Sequence, residues 1–114
     1  MGMPAESAIK GSARSAPELQ KLLKQKLSED LLIQGAKALA HPIRLKILRY
    51  LIDKSYCFCS DFVKVFPLAQ STISQHLKVL KESGLIWGES KGTSSRYGVQ
   101  ENNLKVLKAL IAAL

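Results

Sequence analysis

No apolar run in this chain approaches the roughly 18 residues that a helix needs to cross a bilayer. The opening stretch, Met1 to Ser15, is small and polar with no apolar centre, so it does not read as a secretory leader, and a cytoplasmic protein is expected. Cysteine is scarce. Cys57 and Cys59 are too few for a disulfide scaffold, and a reducing compartment would keep them as thiols. Glycine-rich phosphate loops and catalytic clusters of Asp and Glu are missing. A Cys/His nucleophile would need a base and an orienting group, and nothing marks His41 or His76 as the partner of a cysteine. An enzyme is not expected. Aromatic residues make up only 6%, so the core should be aliphatic. Acidic residues are also short, nine against seventeen Lys and Arg, which leaves +8 on 114 residues. Such an excess on a single small domain favours a polyanionic partner, and nucleic acid is the usual one.

What is present is periodicity. Residues 1–15 are rich in Gly, Ala and Ser without any period, so a flexible tail is expected there, followed by one domain over 16–114. Leu19, Leu22 and Leu23 share one face of a helix that starts near Pro17 and Glu18. That helix either runs on through Ser28 or restarts there, since a serine suits an N-cap. Pro42 fits the first turn of a second helix, with Ile43, Ile47, Leu48 and Leu51 as its buried stripe and Arg44, Lys46 and Arg49 outside it. His41 sits at that helix start, as a cap or facing solvent. A short third helix is predicted from about Ser60 to Val65, with Phe62, Val63 and Phe66 inward and Pro67 ending it.

The most informative stretch follows. Ile73, Leu77 and Leu80 fall at i, i+4 and i+7, so one stripe of this helix faces a core, and Gly84 suits a left-handed stop. The opposite face carries Ser71, Ser74, Gln75 and Lys78, with Thr72 at its edge and Gln70 at its start. These short polar groups and one cation can reach base edges and phosphates in a major groove, whereas a merely solvated face is more usually Glu/Lys-rich. His76 lies at the flank, where it packs or touches a phosphate. Two helices joined by the short turn Leu68–Ala69 make a helix-turn-helix. Beyond Gly84 the period changes: Leu85–Glu89 and Arg96–Val99 flank a Ser90–Ser95 loop and read as a hairpin. Lys91 at its tip and Arg96 on the return strand are placed for phosphates or a minor groove. Asn102 and Asn103 would then cap a last helix through Leu114. The fold class is mainly α with a small β-hairpin, in the order α-α-α-α-β-β-α of a winged helix-turn-helix.

Particular residues carry a closer resemblance. Ala38–Leu48 with its His41-Pro42-Ile43-Arg44, Cys57-Phe58-Cys59-Ser60-Asp61, Gln70–Leu80 with its Ser74-Gln75-His76-Leu77, and Ser83-Gly84-Leu85-Ile86 resemble the ArsR/SmtB family of bacterial transcriptional repressors. The resemblance covers roughly Ala36 to Val99. It implies a homodimer built on the first and last helices, here Leu19 and Leu22 with Leu104, Leu107, Leu110 and Ile111, bound to an inverted-repeat operator in double-stranded DNA. It also implies release when a metal or metalloid ion binds. The residues reach the dimer independently: a chain this small has little core left to cover the last helix, where Val106 and Leu114 add further apolar surface.

The inducer turns on Cys57-Phe58-Cys59. In the resembled family a Cys-x-Cys here is typical of metalloid sensors. Two thiolates one residue apart can chelate a soft ion such as As(III), Sb(III), Cd(II) or Zn(II), and the positive end of a helix would lower their pKa. The family often has a third cysteine nearby, where this chain holds Phe62 and Val63, so a further ligand would come from an exogenous thiol or a second subunit. The SmtB-type site on the last helix needs Asp, His and Glu, and 103–114 has none. Two other readings stand beside ion binding: a thiol redox sensor, or two small buried hydrophobes. The competing function is a winged helix used as a protein-interaction module, which would not need the polar Ser71–Lys78 face.

Overall fold

The structure is a computed structural model that describes residues 15–92 and 94–114. Apart from Ser15, the expected tail over 1–15 lies outside the described residues. Helix α1 spans Ala16–Leu39 as one uninterrupted rod, so Ser28 does not restart it. Its start is fixed by a capping box: the Glu18 N–H donates to Ser15 Oγ and the Ser15 N–H to Glu18 Oε1, both at 3.3 Å. Only its C-terminal half meets the domain, through buried Gly35 and Ala38. Gly35 is needed for closeness: a Cβ there would come within 2.9 Å of Leu107 Cδ2. The end of α1 is capped from the next helix, because Arg44 Nε donates to Ala38 O at 2.7 Å and Nη2 to Lys37 O at 3.2 Å.

Helix α2 (Pro42–Lys54) buries Ile47, Leu48 and Leu51 as its spacing predicts. His41 is its N-cap, with Nδ1 accepting from the Ile43 N–H at 3.1 Å. A strand the periodicity did not announce follows, β1 (Tyr56–Phe58), which turns Tyr56 and Phe58 outward and Cys57 inward. Helix α3 (Cys59–Val65) starts one residue earlier than expected, and the Phe58 N–H donates to Asp61 Oδ2 at 2.8 Å across its first turn. Phe62 and Phe66, at i and i+4, take its buried face, which carries Val63 about 100° round into solvent rather than inward.

Helix α4 (Gln70–Glu82) buries Ile73, Leu77 and Leu80 and ends at Gly84, whose φ of +87° is the left-handed stop. The hairpin strands are longer than predicted, β2 (Ile86–Lys91) and β3 (Ser94–Val99), and the sheet order is β1-β3-β2, all antiparallel. Gly98 leaves room for the Trp87 ring, which a Cβ there would strike. Helix α5 (Glu101–Ala112) has Gln100 at its cap, not Asn102 or Asn103. Asn103 instead donates from Nδ2 to Gly84 O at 2.7 Å, tying the first turn of α5 to the end of α4. The core is aliphatic apart from one aromatic knot, in which buried Phe62 meets Tyr50 and Tyr97 edge-on at 5.8 and 6.4 Å. Among the described residues no helix is long and apolar enough to cross a membrane.

Candidate nucleic-acid interface

The buried stripe of α4 fixes which way its polar face points. Gln70, Ser71, Ser74, Gln75 and Lys78 are exposed and Thr72 is half-buried. From Ser71 to Lys78 this face runs about 10 Å along the helix, a length that a major groove admits. The side chains of Gln70, Ser71, Thr72, Gln75 and Lys78 make no hydrogen bond or ion pair within the chain among the described residues, so their donors and acceptors are uncommitted.

The wing stands beside this face. Lys91 ends β2, exposed and opposite Ser94. Arg96 is differently placed from the expectation of a phosphate-seeking cation. It pairs across the strands with Glu89, Nε donating to Oε1 at 2.9 Å, and its guanidinium lies 5.6 Å from the centre of the Tyr56 ring. The hydrogen bond to Glu89, and then that carboxylate's charge, hold the Arg96 pKa above its ordinary value. Lys78 on the α4 face and Lys91 near the wing tip are exposed cations that carry no ion pair among the described residues.

Cys57 and Cys59 do not share an environment. Cys57 is 4% exposed, in the middle of β1 opposite Tyr97. Burial first, and then the charge of Asp61, push its thiol up, opposite to the lowering expected from a helix start. Cys59 is the first residue of α3 and half-buried, with Sγ 3.9 Å from Ser74 Oγ on α4. It opens into a cleft lined also by Phe58, Gln70, Ser94 and Ser95, between the start of α4 and the wing. Among the described residues no three His, Cys, Asp or Glu side chains stand together as a metal site.

The histidines meet each other. The His41 and His76 rings lie 4.6 Å apart, so the cap of α2 leans on the flank of α4. Burial, then His41 and Arg44, push the His76 pKa below its usual value. Neither the His41–His76 contact nor the Glu89–Arg96 pair was read from the sequence. The second had a signal, opposite charges on adjacent strands, that needed the hairpin register to be seen.

Of the six leucine and isoleucine positions assigned to a subunit interface, Leu107 is 1% exposed and packs inside its own chain on Gly35 of α1. That assignment is corrected: Leu107 is core. Leu104 and Leu110 are half-buried, while Leu19, Leu22 and Ile111 are exposed. At about 100° per residue, Leu19, Leu22 and Ile33 lie within about 40° of the side of α1 opposite Gly35. One side of α1 thus serves its own chain and the other presents leucines to solvent.

With this geometry in place, the likenesses to known proteins are informative. Residues 41–87, from the α2 cap to β2, match the family described as bacterial regulatory protein, arsR family. The arsenical resistance operon repressor of Bacillus subtilis is 36% identical over 74 residues, which are 65% of this chain and 70% of that protein. The HTH-type transcriptional repressor SmtB of Mycobacterium tuberculosis is 34% identical over 68 residues, 60% of this chain and half of that one. Among solved structures, one titled a possible transcriptional regulator for arsenical resistance superposes with a TM-score of 0.62 at 30% identity, covering 68% of this chain and 79% of its own. HlyU from Vibrio cholerae superposes at 0.58 with 27% identity, covering 67% and 84%. These relatives are regulators of transcription rather than enzymes. On the matched helix-turn-helix, the winged fold and these identities, the chain belongs to the arsR family of bacterial regulatory proteins.

Proposed function

We propose that this protein is a repressor that binds an inverted-repeat operator as a homodimer and leaves it when a thiol-directed signal reaches Cys59. The observation that carries the reading is the uncommitted polar face of α4 over its buried Ile73/Leu77/Leu80 stripe. Gln75 and Ser71, near the middle and start of that face, read base edges, while Lys78 and Lys91 hold phosphates and fix the register. Arg96 supports the wing through Glu89 and Tyr56, which leaves its Nη1, unbonded among the described residues, for a phosphate. Two-fold pairing through the outward leucines of α1 and the exposed end of α5 would set two α4 helices about one DNA turn apart, roughly 34 Å, for the two half-sites.

The two sulfurs divide the sensing role. Cys59 opens beside Gln70 and Ser74, so an adduct on it occupies the DNA-facing cleft itself. Cys57, buried on the inner side of β1, joins it as a ligand only by turning out of the core, and among the described residues no third His, Cys, Asp or Glu stands with the pair. A soft ion such as As(III), Sb(III), Zn(II) or Cd(II) would therefore need a small thiol or a second subunit to complete its shell, whereas an oxidant or alkylator needs only Cys59. The test titrates a protein–DNA complex with each ion and with a thiol oxidant, followed by fluorescence anisotropy. Release of wild type by one agent and its loss in Cys59→Ser supports the reading. Release that persists in the Cys57→Ser/Cys59→Ser pair, or no release of wild type, refutes it.

A further inference from the structure

A cavity of about 290 Å³ lies on the other side of the domain, where the end of α2, the end of β3 and the first turns of α5 meet. Leu51, Val99 and Leu104 wall it, and Ile52 adds apolar surface that is half exposed to solvent. Lys105 and Lys108, one turn apart on α5, stand at its lip, and neither has an ion-pair partner among the described residues. Glu101 shares the lip four residues before Lys105, the spacing at which the two offset each other along a helix. Lys108 is then the charge left over. Ser55 closes the α2 end with a φ of +69°, the one non-glycine residue among those described that sits in the left-handed region. A space of this size, with one wall apolar, the rest polar and a cation at its mouth, is chemistry for a small amphipathic anion.

We propose that this cavity is an effector site for a small amphipathic carboxylate, an aliphatic or aromatic acid of about eight carbons. Its tail lies against Leu51, Val99 and Leu104, and its carboxylate meets Lys108 with Lys105 beside it. The site is wired to the reading head. The Gln100 N–H donates to Leu85 O at 2.9 Å and Asn103 Nδ2 to Gly84 O at 2.7 Å, so the turn of α5 that lines the cavity is bonded to the end of α4. A ligand wedged between α2 and α5 favours a setting of that turn, and with it a setting of α4, different from the empty one. This regulatory half rests on the DNA-binding reading above; the binding half does not.

Octanoate, titrated into the ¹⁵N-labelled full chain, is the probe. Amide shifts centred on Leu51–Ser55 and Val99–Lys108 and spreading through Gly84 and Leu85 toward α4, with none from octylamine, are expected. Lys105→Gln/Lys108→Gln should keep its dispersed spectrum and bind octanoate about tenfold more weakly, the loss of one charge-assisted hydrogen bond. No shifts at saturating octanoate, shifts centred on the exposed leucines of α1, or equal binding of octylamine would overturn the site. In a second arm, octanoate should change wild-type affinity for operator DNA several-fold and leave the double variant unmoved. Binding in the spectrum without that change overturns the regulatory half alone, and a chain that binds octanoate but no DNA overturns the repressor reading while the site stands.

Discussion

Removing the Gln75 side chain beyond Cβ tests base reading with little collateral damage. Gln75 is exposed in the middle of the outer face of α4 and its amide bonds to nothing in its own chain. Alanine there also favours helix over glutamine. Gln75→Ala should therefore leave the unfolding midpoint within the range of about ±0.5 kcal/mol usual for surface changes. On DNA the same change removes a bidentate donor and acceptor from a base edge, worth about 1–3 kcal/mol for each half-site that uses it. With one Gln75 per subunit, a dimer engaging both half-sites would lose about 2–6 kcal/mol if the two sites act independently. The assay is fluorescence anisotropy at one fixed salt concentration, with an operator selected from a random library by the wild-type protein and with a scrambled duplex of equal length. The scrambled duplex should be bound as before, because phosphate contacts from Lys78 and Lys91 are untouched. Equal loss on both duplexes would show that Gln75 does not read sequence, and the assignment of the α4 face would fail.

The remaining predictions concern assembly and pH. Leu22→Asp combined with Ile111→Asp should halve the mass seen by light scattering and abolish tight operator binding while the circular dichroism spectrum is retained, because both side chains are exposed in the single chain. Leu107→Asp should instead unfold the protein, since a charge would replace a core leucine against Gly35. A dimer that survives the double change places the interface elsewhere. For pH, the folded His76 has its pKa below the ordinary 6.5, so the unfolded chain takes up the proton first. The stability this neutral imidazole contributes is fully present above about 6.5 and is lost as pH falls below it. Urea midpoints measured from pH 7.5 down to 5.5 should fall, and His76→Gln should flatten the slope. An unchanged slope in that variant would remove His76 from the account.

Long, strongly periodic elements were legible in the sequence. Ile73, Leu77 and Leu80 fixed both the existence of α4 and the direction of its polar face, and Gly84 fixed its end. Strand β1 was hidden because three residues are too short to display a period of two, and its partner β3 lies far downstream. With β1 unseen, Cys57 and Cys59 read together, as a chelating pair, a redox sensor or two small hydrophobes, although the strand buries the first and the helix start leaves the second half-buried. Leu107 looked like its neighbours Leu104 and Leu110 because helical spacing shows which residues share a stripe and not which chain covers it. Asn103 looked like a cap for the same kind of reason, since its acceptor, Gly84 O, is a tertiary partner. The continuity of α1 through Ser28 was undecided by local signals; the packing of its second half on α5 through Gly35 and Leu107 supports the uninterrupted helix.

The salt dependence of operator affinity tests the central claim most directly. If Lys78 and Lys91 of each subunit sit on phosphates, a dimer neutralises at least about four, and log Kd should rise with log salt at a slope of about 3.6 or more. Lys91→Ala should lower that slope by about two, one phosphate per subunit, on selected and scrambled duplexes alike. A flat dependence between about 50 and 200 mM salt, or no binding by a folded dimer, would contradict the reading of this winged helix as a DNA-binding repressor.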